Sequence, residues 1–196
     1  MAEIKSTLEM VLERAARMSE NATGTPAGEE AEQRGMRLAA GYLNGDSTYL
    51  MSLLDEQPPQ EQMAVRNGMA RTLLRNIVLP RDEDLFNRSK TSLKGLQEIS
   101  GQSGDIMGIC SELSQLLDQY SQHKEQMKQQ LDDTVRQQLK QGLFEQGQMI
   151  EDDMTLNPAM HPHYHEKVSR MNAELNEQYN QALDQRKELI SQRLGY

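Results

Sequence analysis

Three histidines at alternate positions, His161, His163 and His165, come closest in this sequence to a reactive constellation. Imidazole is the commonest metal ligand, and on one helix His161 and His165 would share a face at i, i+4. If the chain folds back at Asn157–Pro162, then Glu151, Asp152 and Asp153 lie across from the stretch His163 to Glu166. His161, His163, His165, Glu151 and Asp152 then form a candidate metal site for a divalent transition metal, three imidazoles beside carboxylates. The competing reading is a solvated tip in which imidazoles and acids pair. Pro162 favours that reading, because it keeps His161 out of the helix that follows.

Other chemistry is excluded by pattern. A ferritin-like di-iron centre needs Glu-x-x-His on two helices. The residues three before His123, His161, His163 and His165 are Tyr120, Pro158, Met160 and Pro162, so that motif is absent. Cys110 is the sole cysteine, which rules out an intrachain disulfide and a cysteine-based zinc site. Its neighbours Ile106, Met107 and Ile109 supply no base to generate a thiolate, so it reads as a buried structural residue. Gly101-Gln102-Ser103-Gly104 lacks the lysine of a phosphate loop, and no Gly-x-Ser-x-Gly elbow occurs. The sequence therefore reads as a non-enzyme with no cofactor.

Composition points the same way. The chain has 196 residues, a net charge of −9, 36% hydrophobic residues and only 4% aromatics, with 13 Met and no Trp. Leu, Met and Ala prefer helices and suit narrow seams between them. The Met residues read as core filling, with an adaptable binding groove as the alternative. No run approaches the roughly 18 apolar residues of a membrane span. The start, Met1 to Ser19, is too rich in charge for a signal peptide, so the cytoplasm is the expected location. The acidic balance disfavours nucleic acid and anionic membranes. One basic island, Arg66 to Lys94, reads as neutralising acidic neighbours in the fold.

The elements that must position these residues all read as helices. Ile4, Leu8, Val11, Leu12, Ala15 and Met18 recur at three- and four-residue steps over Ile4–Asn21. Further helices are expected over about 28–44, up to Leu54 from a cap at Asp46 or Ser47, over 60–79 ended by Pro80, and from Asp82-Glu83-Asp84 to Ile99. Ser100–Gly104 is the clearest break. From Asp105 to about Thr155 no proline occurs, and Leu113, Leu117, Tyr120, Met127 and Leu131 keep a heptad rhythm. A last helix is expected from Pro162 to Leu194. A tight turn at Asn157–Pro162 would pack these two antiparallel and bring Leu194 opposite the His123 region, leaving residues 105–122 to dock on the N-terminal helices.

The expected fold is all-α, an N-terminal multi-helix body at residues 1–104 carrying a long antiparallel two-helix coiled-coil arm at 105–196. The segment Glu3-Ile4-Lys5-Ser6-Thr7-Leu8, followed by Val11-Leu12-Glu13-Arg14, resembles the N-terminus of a family of uncharacterised bacterial helical proteins. That resemblance covers one helix and implies a bacterial cytoplasmic protein, with no catalytic residues. The functional expectation is an interaction protein, an adaptor, assembly factor or chaperone-like partner. It would bind protein partners or a second copy through the arm, by coiled-coil or helix-in-groove pairing. The alternative is a metal-binding protein that uses the histidine tip.

Overall fold

Helix α1 (Pro26–Asn44) starts at a proline, whose fixed φ suits a first turn, and ends where Gly45 takes a left-handed φ of 88°. The computed structural model describes residues 26–101, 103–145 and 156–195. After α1 come α2 (Leu50–Asp55), α3 (Gln62–Arg75), α4 (Glu83–Ile99), α5 (Gly104–Glu145) and α6 (Tyr164–Leu194), with a 3₁₀ turn at Pro158–Met160. Every regular element among the described residues is helical, and none of these helices is long and apolar enough to cross a membrane. The helix expected at Ile4–Asn21, and with it the Glu3–Arg14 segment, lies outside the described residues.

The packing divides into two compact units, one ending at Leu73 and the other beginning at Leu74. In the first unit, Ala31, Gly35 and Ala39 line one side of α1 at four-residue steps, and all are buried. A side chain on Gly35 would run into the Val65 carbonyl oxygen of α3, and one on Gly68 of α3 would run into the Glu32 carbonyl oxygen of α1. The two backbones thus meet directly at a reciprocal pair of glycines. Met69, Leu73, Leu50 and Leu54 are buried in the same unit. Arg34 ties α1 to the segment before α3, donating to Gln57 Oε1 at 3.2 Å and Glu61 Oε2 at 2.7 Å.

In the second unit, α3 stops at Arg75 rather than running on to Leu79. Side chains from distant helices take up the backbone groups that a continued helix would have used. Ser89 Oγ of α4, fully buried, accepts from the Val78 N–H at 3.2 Å and lies 3.2 Å from the Asn76 and Val78 carbonyls. Lys187 Nζ of α6 donates to the Ile77 carbonyl at 3.1 Å. Pro80 adds a steric bias of Leu79 towards extended backbone. Asp82 then caps α4, its Oδ1 accepting from Leu85 N–H at 2.9 Å. Lys90 joins α4 to α5 through Ser114 Oγ at 2.6 Å and Asp118 Oδ2 at 2.8 Å.

Helices α5 and α6 pack antiparallel, in a register that differs from the expected one. Arg193 meets Asp105 at 2.9 Å and Arg186 meets Glu112 at 3.4 Å. Further along, Tyr120 bonds Asn176 at 2.7 Å and Tyr164 bonds Asp132 at 2.6 Å. Leu194 therefore lies near the start of α5, and His123 sits beside Tyr179 instead. Residues 105–122 pack against α4 through Lys90 and against α6 through Arg186 and Arg193. The register is set by the polar pairs Tyr120 with Asn176 and Asp132 with Tyr164, which a fold-back centred on Asn157–Pro162 would not bring together. Ser100–Gly104 is a turn joining α4 to α5 inside this second unit.

Gly35→Ala and Gly68→Ala are each expected to destabilise the chain by about 1–3 kcal/mol through overpacking, against an alanine helix preference of roughly 1 kcal/mol. Gly142→Ala in α5, where a side chain meets nothing within 4 Å, is expected to stabilise. Urea denaturation followed by circular dichroism measures all three, and equal signs for Gly68 and Gly142 would refute the close crossing.

Candidate functional site

The histidine tip is built by a turn and not by a helix face. Asn157 Oδ1 accepts from Ala159 N–H at 3.0 Å, setting the 3₁₀ turn, and Pro158 is buried. The His163 N–H donates to His161 Nδ1 at 3.2 Å, which occupies one ring nitrogen of His161. His163 Nδ1 lies 3.5 Å from Glu166 Oε2, and the His165 ring meets the Tyr164 ring edge-on at 5.8 Å. Helix α6 starts only at Tyr164, so the shared i, i+4 face of His161 and His165 does not form. His161 and His163 line a groove of about 430 Å³ with Met127, Arg170 and Glu174, and His165 is not among its walls. Among the described residues no group of three His, Cys, Asp or Glu side chains gathers as a metal requires. Glu151 and Asp152 lie outside the described residues.

What the sequence reading missed is a buried acid. Leu131 was expected in the helix seam, yet its neighbour Asp132 is the more buried, at 9% exposure. Its carboxylate accepts from Tyr164 at 2.6 Å and from Lys128 Nζ at 2.8 Å. Burial opposes ionisation of Asp132, but the bonds to Lys128 and Tyr164 and the charges of Lys128 and Arg136 outweigh it, holding the carboxyl below its usual range. The same contact raises the Tyr164 hydroxyl and the Lys128 ammonium. The only advance signal was the Lys128–Asp132 spacing of four, which fits any surface ion pair.

A second polar layer lies further along the helix pair. Tyr120 is buried and donates to Asn176, and its ring meets Tyr179 edge-on at 5.3 Å. Burial raises the Tyr120 hydroxyl, with the charge of Arg81 opposing. Burial pushes the Cys110 thiol up to about 11, so it is a poor nucleophile at neutral pH.

Beside these layers an open groove of about 460 Å³ runs between α5 and α6. Leu116 and Ala182 supply apolar surface, Gln115, Gln119 and Gln178 supply uncharged polar surface, and the Glu112–Arg186 ion pair crosses the groove. Leu189, on the same face of α6 as Ala182, is 44% exposed. The groove offers shape and apolar contact.

Tyr164→Phe, which strips one bond from the buried carboxylate, is expected to cost about 1–3 kcal/mol. The depressed Asp132 group makes the unfolded chain the better proton acceptor in acid. Its contribution is full above the ordinary aspartate value of 3.8 and is lost as pH falls through the lower folded value. Asp132→Asn is expected to flatten this acid limb, and urea midpoints across a pH series would show an unchanged limb if the coupling were absent.

No match is found among curated proteins or among solved structures. The chain does match a family model over residues 51–192, from α2 to nearly the end of α6. The Glu3–Arg14 segment falls outside that match. Spanning most of its length, the match shows that this chain belongs to DUF6657, a family of unknown function.

Proposed function

We propose that the chain is a non-enzymatic interaction protein, an adaptor, assembly factor or chaperone-like partner, whose α5–α6 pair serves as an antiparallel coiled-coil arm. The observation that carries this reading is the open groove at Leu116 and Ala182, with Leu189 exposed on the same face. Apolar positions at helical spacing beside uncharged glutamines suit an amphipathic helix, which would anchor through residues at i, i+3, i+4 and i+7. Ile106, Cys110, Leu113, Leu117 and Tyr120 are buried at alternating four- and three-residue steps, the spacing of a coiled-coil seam. The helix entering the groove belongs to a protein partner or to a second copy of the chain. The reading includes a cytoplasmic place of action, which rests on the lone buried cysteine and the acidic, charge-mixed sequence.

Leu116→Asp places a charge in the groove without touching the buried seam. Wild-type chain is expected to self-associate in analytical ultracentrifugation or to retain a reproducible partner in affinity purification with mass spectrometry. The variant is expected to lose that association while its helicity and melting temperature stay unchanged. A strictly monomeric wild type with the same co-purifying set as the variant would overturn the reading.

A further inference from the structure

A separate cavity of about 270 Å³ lies in the second unit, where the segment after α3 and the start of α4 face the middle of the α5–α6 pair. Val78 and Leu85 contribute apolar wall, and Arg81, Tyr120, Asn176 and Asn180 contribute polar groups. It is smaller than the roughly 300–1,000 Å³ of drug-sized sites, so its occupant must be small. Arg81, Asn176 and Asn180 each carry N–H groups that can donate to an occupant. Tyr120 gives its proton to Asn176 Oδ1 at 2.7 Å, which leaves the amide nitrogen of Asn176 as the free end of that side chain. Asn180 is exposed and brings a second amide.

Arg81 supplies the charge. Among the described residues no carboxylate lies within 4.0 Å ion-pair reach of its guanidinium. The nearest acid in sequence, Asp82, is turned onto the Leu85 N–H as the cap of α4. A guanidinium fork and two amides present planar donors to a group with several acceptor lone pairs and one negative charge, and a carboxylate has that chemistry. The apolar wall asks for a short hydrocarbon body attached to it.

We propose that this cavity binds a small carboxylate with a short apolar body, its carboxylate on Arg81 with Asn176 and Asn180 and its body against Val78 and Leu85. The site stands apart from the α5–α6 groove, so its failure would leave the interaction reading intact. The test is a two-dimensional ¹⁵N NMR titration of the full chain with butyrate and benzoate as carboxylate probes. Butyramide, benzamide and inorganic phosphate serve as controls. At least one acid is expected to give saturable shifts centred on the amides of Val78, Leu85 and Asn180. The matching neutral amide and the Arg81→Gln variant are each expected to bind about tenfold more weakly or worse, the loss of one charge-assisted contact. Arg81 is exposed, so the variant is expected to melt as the wild type does. No saturable shift from either acid, shifts centred elsewhere, equal binding by the neutral amide, equal binding by the variant, or phosphate binding as tightly as the acid would each overturn the proposal.

Discussion

Helices that have little bulk to place between them must either approach closely or be held by polar side chains. With aromatics at 4% of residues, this chain meets that constraint differently in each of its two units. In the first, Gly35 and Gly68 let the backbones of α1 and α3 touch, and van der Waals contact between main chains replaces the large side chains the sequence lacks. The glycines give up helix propensity for that contact. Their buried neighbours, Ala31 and Ala39, are small for the same reason.

In the second unit the solution is chemical. Buried apolar side chains such as Leu113, Leu117, Leu175 and Ile190 supply most of the contact between α5 and α6 but little sense of register, since a seam of similar side chains tolerates sliding by a turn. The Asp132–Tyr164 and Tyr120–Asn176 bonds supply that sense. A slip of α6 along α5 would strip the buried Asp132 carboxylate of its Tyr164 bond, leaving it with Lys128 alone, and would take the Asn176 partner from the buried Tyr120 hydroxyl, which is costly in a low-dielectric seam. Ser89 and Lys187 act likewise at the end of α3, where they satisfy backbone groups that no helix serves.

Local signals in the sequence were sufficient at some helix ends and not at others. Helix α2 starts at Leu50 after Tyr49, which makes no side-chain cap bond, and not from the expected cap at Asp46 or Ser47. Asp82 three residues before Leu85 announced the start of α4, and Asn44-Gly45 announced the end of α1. Residues acting from far along the chain were not legible in this way. The stop of α3 at Arg75 depends on Ser89 and Lys187, and the register of α5 against α6 depends on Asp132 meeting Tyr164, 32 positions away. The histidine tip was found by spacing and Pro162 argued against its helix face, and the structure agrees, since the 3₁₀ turn ends at Met160 and α6 starts only at Tyr164. The groove at Leu116 and Ala182 and the cavity at Arg81 are products of packing between helices, and no single stretch of sequence contains either.

Cys110 is buried in the seam of α5 between Ile106 and Leu113, with its thiol held protonated to about pH 11. It is the one sulfhydryl in this sequence. An alkylating reagent can reach it only when that end of α5 opens, and it then meets a single target with no competing thiol. The rate of its modification is therefore a clock for local opening, carried by the chain itself and readable without any added label.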